Sequence, residues 1–171
     1  MLALTLLALP VATMAARTLP RDELHEDVLS TIAEYKKKDP GIKKFFDDAI
    51  GYAVFPAVGK GAVGIGAAHG SGELIVGGKA VGMVKLNQVT VGLQFGGQSY
   101  SEIIFFNKQN TLDSFRHSDF SFAAQVSAIA LTAGASANAA YRDGVAVFTE
   151  AEGGLMYEAS IGGQKFSYTA Y

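Results

Sequence analysis

Cysteine is absent from the 171 residues of this chain. Its absence excludes disulfide bonds, thiol catalysis, thiolate metal sites and lipid attachment through cysteine. Charged residues are also scarce, at 18%, with 14 basic against 16 acidic side chains and a formal net charge of −2. A dedicated nucleic-acid-binding protein normally carries a strong basic excess, so this balance argues against nucleic acid as a partner.

Motifs for catalysis and cofactor binding are missing or incomplete. No G-x-S-x-G nucleophile motif occurs. Residues 59–64 spell G-x-G-x-x-G, but the residues after them favour strand and turn, whereas a dinucleotide site needs a helix there. The three histidines, His25, His69 and His117, show no ligand spacing, so we expect neither a metal site nor a cofactor. The chain is therefore expected not to be an enzyme.

Apolar residues make up 49% of the chain, which is enough for one domain with a proper core. The first sixteen residues carry an apolar run followed by small residues, although a positively charged start is missing. This run is too short to span a membrane comfortably and is typical of a secretory signal. The predicted organisation is a signal peptide at 1–16 and a single domain at 17–171. An exported chain is expected in the periplasm or at the outer membrane.

Helical periodicity is confined mainly to the N-terminal part. Residues 21–38 place one apolar stripe at helical spacing, with acids early and lysines late, as the helix dipole prefers. Asp39-Pro40-Gly41 ends this helix, and a second helix is predicted from Ile42 to Ile50. Both helices should turn apolar residues toward a core: Leu24, Val28, Ile32 and Tyr35 from the first, and Phe45, Phe46, Ala49 and Ile50 from the second.

Strand-like patterns dominate from Tyr52 onward. Short apolar runs broken by glycine predict a meander of short strands, which leads into a hairpin or bent strand pair within residues 87–106. One helical insertion is predicted near 108–117. Alternation returns at 119–132, and a closing hairpin is predicted around residues 152–154. The predicted fold is α+β and mostly β, with N-terminal helices followed by a curled or barrel-like antiparallel sheet.

The fully apolar run Ile103–Phe106 predicts a strand that is covered on both faces. Glu102 is the acidic residue of most interest, because it directly precedes this run. A buried carboxylate at this position needs hydrogen-bond partners, such as Gln98 or a backbone turn. We interpret Glu102 as structural rather than catalytic.

A cluster of lysines beside two phenylalanines is the strongest functional signal. Five cations fall within nine residues at the junction of the predicted helices, and they could meet lipid phosphates while the rings enter the interface. Acidic neighbours leave residues 34–48 only one charge positive by count (five minus four). The alternative is a solvated helix end whose phenylalanines belong to the core. The candidate lipid-binding residues are Lys36, Lys37, Lys38, Lys43, Lys44, Phe45 and Phe46.

Several segments together resemble the SYLF domain family, from about Leu24 to Tyr171. The most specific segment is Gly92-Leu93-Gln94-Phe95-Gly96-Gly97-Gln98, followed by Glu102 and an apolar strand. Further matching segments are Tyr52–Pro56, Gly59–Gly66 and Gly154–Ser160.

The resemblance implies a binding module. Eukaryotic members bind phosphoinositide membranes through basic and amphipathic N-terminal residues, and some fungal members bind and bundle actin. Bacterial members with export signals resemble envelope proteins that are described as lipid-binding. The resemblance therefore implies an envelope module that binds anionic phospholipid through residues 36–46. Two alternatives stay open: a structural or protein-interaction module with an envelope protein partner, and a carrier of a small apolar ligand.

Overall fold

The computed structural model describes residues 20–61, 65–91, 98–151 and 161–171. Within these ranges, helices come first and a seven-stranded sheet follows, with a further helix after the fourth strand. The predicted class, α+β and mostly β, is confirmed. The predicted signal peptide lies outside the described residues.

The N-terminal helices agree with the prediction except at the end of the second. Val28, Ile32 and Tyr35 are buried along one side of the first helix, as its apolar stripe predicts. The second helix is shorter than predicted, because Ala49 already has extended backbone angles. Ile50 is 36% exposed, so the prediction that it points to the core is wrong. The bounds are α1 Pro20–Lys38, a 3₁₀ turn at Pro40–Ile42 and α2 Lys43–Asp48.

The sheet has the strand order β5-β6-β4-β1-β2-β3-β7. All neighbouring strands are antiparallel except β5 and β6, which are parallel. The sheet is therefore mixed, whereas a wholly antiparallel sheet was predicted. The helical insertion is confirmed as α3, Gln109–Arg116. The strands are β1 Gly51–Gly61, β2 Ile65–Val76, β3 Lys79–Val91, β4 Gln98–Phe106, β5 Ala128–Ala130, β6 Val145–Ala151 and β7 Gln164–Ala170.

Strands β3 and β4 are not neighbours, because β1 and β2 lie between them. The prediction that residues 87–106 form a hairpin or bent pair is therefore wrong. Alternation of apolar and polar residues identifies the buried face of a strand, but it does not determine which other strand pairs with it. Ile103 to Phe106 of β4 are fully buried on both faces, as predicted. The glycine bend at 96–97 and the closing turn at 152–154 lie outside the described residues.

The chain between α3 and β5 also differs from the prediction. Only Ala128–Ala130 of the alternating stretch 119–132 forms a strand. Phe120 instead packs its ring against Phe106 and Phe115 at centroid distances of 5.8 and 5.6 Å. Contacts with an aromatic cluster thus replace pairing with the sheet, and Ala124 and Ala130 are exposed.

Alternation along the strands gives the sheet two apolar faces. Val54 and Phe105 point toward α1 and α2, whereas Phe55 and Phe106 point to the opposite, inner face. The inner face is covered by α3 and by residues around Phe120. Residues 36–46, which form the end of α1 and the start of α2, therefore lie on the face of the sheet that carries Val54 and Phe105.

The sheet is strongly curled around its inner face. Gln164 of β7 donates a hydrogen bond to Glu102 of β4 over 3.0 Å, although three strands separate them. In a flat sheet, four strand spacings would separate these residues by roughly 19 Å. β5 and β7 are the outer strands and do not pair with each other in the described ranges, so the predicted curl is present without closure into a barrel.

Candidate functional site

All five lysines of the predicted cluster have exposed side chains. Three of them form the last turn of α1, where cations interact favourably with the helix dipole. The other two begin α2 directly after the turn at Pro40–Ile42. The chain reversal at this turn therefore brings both groups to the same junction, as the sequence predicted.

Two of the lysines are paired with carboxylates and two lie over aromatic rings. Lys38 forms an ion pair with Glu150 of β6, and Lys43 pairs with Asp47 within α2. The ammonium groups of Lys36 and Lys44 lie 4.4 and 5.0 Å from the ring centroids of Phe46 and Phe45, respectively. Within the described part of the chain, Lys36, Lys37 and Lys44 have no ion-pair partner. These three cations are therefore available to an external anion.

The two phenylalanines occupy different environments. Phe45 is 1% exposed and packs edge-on against Phe148 at 4.9 Å, between helix and sheet. Phe46 is half-buried and contacts Phe105 and Tyr52 at 4.8 and 5.1 Å. The hypothesis that the Phe45 ring enters a lipid interface does not fit the folded chain, because this ring completes the core. For Phe45, the alternative hypothesis of a phenylalanine that belongs to the core therefore describes its position.

A buried carboxylate anchors the lysine junction to a distant loop. Asp39 is 2% exposed and accepts hydrogen bonds from the backbone N–H groups of Gly41 at 3.1 Å and Ser136 at 2.7 Å. Burial raises the pKa of Asp39, but these hydrogen bonds outweigh it and bring the pKa below the usual 3.8. Sequence reasoning identified Asp39 only as a helix stop. Its partner Ser136 lies 97 residues away and left no local signal.

Glu102 is fully buried on the inner face, as its apolar surroundings suggested. Its carboxylate accepts from Gln164, whose amide also reaches the Tyr100 hydroxyl at 3.4 Å. The side chain of the proposed partner Gln98 lies outside what the structure describes. Burial, followed by the charge of Glu102, raises the pKa of Tyr100 well above 10. These contacts are consistent with the structural role that we assigned to Glu102.

A third buried carboxylate, Glu73, joins the start of α1 to the end of the chain. The Glu73 side chain is 1% exposed, and one of its oxygens lies 2.6 Å from Nδ1 of His25. The Tyr171 hydroxyl donates to the other oxygen, and the Arg21 guanidinium lies 3.7 Å from the Tyr171 ring centroid. Burial and Glu73 together raise the pKa of Tyr171 to about 12. Sequence reasoning missed this cluster, because its members lie on three separate elements.

The three histidines lie in different parts of the fold, and the glycine motif begins within β1. His69 and His117 are exposed, and the described ranges contain no group of three or more acidic or histidine side chains placed to hold a metal ion. Gly59 and Gly61 end β1, and β2 follows from Ile65, so a strand stands where a dinucleotide site would need a helix. Residues 62–64 lie outside the described ranges.

One cleft lies beside β5, β6 and the loop between them, and another lies between α3 and the chain that follows it. Their volumes are about 280 and 260 Å³, and Val126 and Val145 line both of them. Each cleft is open to solvent and has polar as well as apolar walls. Neither is the closed, mostly apolar cavity that a carrier of an apolar ligand would need. None of the helices in the described ranges combines the length and the apolar character needed to cross a bilayer.

Comparison with known proteins supports the resemblance seen in the sequence. The family model described as "Ysc84: Las17-binding protein actin regulator" matches residues 87–169. Beta cell expansion factor A of Aeromonas veronii is 29% identical over 131 residues, which cover 75% of this chain and 49% of that protein. The chain thus spans about half the length of this curated relative. The match over residues 87–169 confirms the predicted resemblance to the SYLF family in this part of the chain.

Proposed function

We propose that this protein is a non-enzymatic module that binds anionic lipid headgroups through the lysine junction between α1 and α2. The observation that supports this most is the exposure of all five lysines, three of which have no ion-pair partner within the described ranges. A cation near an anionic membrane surface contributes about 1 kcal/mol to binding. Lys36, Lys37 and Lys44 would therefore supply the main attraction.

The binding mode is electrostatic and peripheral. Phe45 is buried, so apolar insertion by its ring would require the core to open. Phe46 is half-buried, and the ammonium group of Lys36 lies over its ring. Exposed charges that attract an anionic surface are screened by salt, so binding should weaken as ionic strength rises. The exposed acids Asp47 and Asp48 reduce the local charge and keep this attraction moderate.

The setting that we propose is a bacterial envelope, in the periplasm or at the outer membrane. The apolar run at residues 1–16 has the features of an export signal. The relative in Aeromonas veronii is a bacterial protein. Anionic phospholipid of the envelope is then the lipid partner.

A protein-interaction role is the second candidate. The matching family is described as Las17-binding and as an actin regulator. This description favours a protein partner, which in an envelope would be another envelope protein. The lipid role takes precedence, because the exposed lysines provide a surface of defined chemistry.

Vesicle sedimentation of the full chain tests the lipid proposal. Phosphatidylglycerol-containing vesicles should bind the protein at low salt and release it at high salt, whereas pure phosphatidylcholine vesicles should not bind it. The variant K36Q/K37Q/K44Q should lose on the order of 100-fold in affinity, at about 1 kcal/mol per lysine.

The matched control is K79Q/K85Q/K165Q, which removes three exposed lysines from β3 and β7. Equal losses of vesicle affinity in both variants would show that binding depends only on the total charge of the protein. The proposal of a specific site at the lysine junction would then be wrong. If the unmodified chain does not bind anionic vesicles, the lipid role is wrong and the protein-interaction role replaces it.

A further inference from the structure

The outer side of α1 carries a stripe of exposed residues at spacings of three and four. Acidic side chains lie at its start, small and apolar side chains at its middle, and lysines at its end. Positions three and four apart share one side of a helix, so these residues form a continuous surface. The stripe consists of Asp22, Glu26, Leu29, Ala33, Lys36 and Lys37.

The acidic end of this stripe has no ion-pair partner among the residues that the structure describes. Asp22 and Glu26 are one turn apart, as are Glu23 and Asp27, so each pair repels. None of these four residues belongs to an ion pair within the described ranges. The lysine end has the opposite sign. Helix α1 therefore presents separated and opposite charges on one exposed surface.

The middle of the stripe is apolar. Leu29 is the midpoint of α1 and is 52% exposed, more than Ile50 or Tyr171, the other large exposed hydrophobic residues in the described ranges. Ala33, one turn later, is small and exposed. A large side chain beside a small one is a shape that can fit its own inverted copy.

We propose that α1 is a self-association surface, on which a second copy of this chain pairs its own α1 in antiparallel orientation. A two-fold axis midway between Leu29 and Ala33 on the exposed side of α1 places Leu29 against the partner subunit's Ala33 and Glu26 against the partner subunit's Lys36. Each contact then occurs twice, as two-fold symmetry requires.

Charge complementarity selects this orientation and this occupant. A parallel arrangement would place Glu26 beside the partner subunit's Glu26 and lysines beside lysines, which repel. The antiparallel arrangement joins each acidic end to a basic end. The helix has 19 residues and is about 28 Å long, so the paired surface is smaller than a standard interface of about 1,600 Å². The dimer is accordingly weak and salt-sensitive.

Lys36 belongs to both proposed surfaces, but self-association is measured without vesicles, so its test can fail or succeed separately from the lipid test. Sedimentation velocity of the full chain across a concentration series should show a monomer–dimer equilibrium that shifts to monomer at high salt. Glu26→Lys and Lys36→Glu should each give monomers, because each places like charges together at both symmetric contacts. An equal mixture of the two variants should form a heterodimer, because each contact then joins a lysine of one variant to a glutamate of the other.

Two further variants test whether the effects are specific to the α1 surface or follow from any change of charge or from misfolding. Lys85→Glu reverses an exposed lysine of β3 and should leave the dimer unchanged. Leu29→Gln removes the apolar contact and should weaken the dimer at least tenfold, while far-UV circular dichroism stays unchanged.

Orientation is tested with single cysteines, because the chain has none of its own. Leu29→Cys mixed with Ala33→Cys should form a mixed disulfide faster than either variant forms a disulfide with itself. A monomeric unmodified chain at low salt would overturn the proposal. So would a dimer that both charge reversals leave intact, a mixture that stays monomeric, or faster homodisulfides at position 29.

Discussion

Gln164 and Glu102 form a 3.0 Å hydrogen bond between strands that occupy the last and third positions of the seven-stranded sheet. Both side chains are buried, at 1% and 0% exposure. The contact is possible only because the sheet curls back over its inner face. It also gives a buried carboxylate a donor that no nearby residue in the sequence would suggest.

Gln164→Ala should lower the free energy of unfolding by about 1–3 kcal/mol, the usual effect of leaving a buried polar group with one hydrogen bond fewer. Urea unfolding followed by circular dichroism measures this. Lys165→Ala is the matched control, because this neighbour is exposed on the outer face and should change stability by no more than about 0.5 kcal/mol. Equal effects of the two substitutions would show that the hydrogen bond does not stabilise the curl.

Gly72→Ala should prevent or severely weaken folding, because a Cβ at this position would lie 2.0 Å from the Val54 carbonyl oxygen. The strands approach closely here, beside the irregularity between Val54 and Ala57 in the pairing of β1 with β2. Gly59→Ala is the control, since nothing lies within 4 Å of a Cβ built there. Soluble yield and urea midpoints compare them. A Gly72→Ala protein as stable as Gly59→Ala would contradict the close approach.

Asp39→Asn should destabilise the protein near pH 7 by about 1.5–3 kcal/mol, since it removes the charge and replaces one acceptor oxygen by an NH₂ group that cannot accept a hydrogen bond. The pKa of Asp39 is lower in the folded chain than its usual 3.8, so its stabilising contribution is present above that value and is lost as pH falls through the lowered pKa. The difference between the two proteins should therefore shrink below about pH 4.

Urea unfolding at a series of pH values measures this dependence. Asp47→Asn serves as control, because Asp47 is exposed and paired only with Lys43, and its effect should be small throughout. An Asp39→Asn penalty that is the same at about pH 3.5 and about pH 7 would argue against a lowered pKa of Asp39.

Phe45→Ala should cost about 3–5 kcal/mol of stability, as truncation of a buried phenylalanine does. Phe46→Ala should cost less, because this ring is only half-buried. The milder Phe45→Leu should keep affinity for anionic vesicles, since the proposed binding depends on lysines. A loss of vesicle binding by folded Phe45→Leu, measured by sedimentation, would indicate that the ring takes part in lipid contact.

Local patterns were enough to predict several elements correctly. The stripe of Val28, Ile32 and Tyr35 predicted the buried side of α1, and the helix predicted near 108–117 is present as α3, with Leu112 and Phe115 buried. The run Ile103–Phe106 predicted a strand covered on both faces. These predictions succeeded because burial of one side of a helix or strand depends on residues close together in the chain.

Strand pairing could not be predicted in the same way. The stretch 87–106 was interpreted as a pair, yet β1 and β2 separate its strands, because pairing depends on segments far apart in sequence. The partners of the buried carboxylates were missed for the same reason. Ser136 is 97 residues from Asp39, and Gln164 is 62 residues from Glu102.

Local patterns in the sequence were sufficient for the class of fold, the two N-terminal helices, the family resemblance and the position of the lysines at the helix junction. The burial of Phe45 and the curl that brings β7 to β4 depend on the packing of distant segments and became visible only in the folded chain. The same holds for the ion pairs of Lys38 and Lys43. A lysine–phenylalanine run has the same local pattern whether its rings face lipid or the core. The apolar surface that the sheet offers to the rings makes the buried arrangement the one of lower free energy.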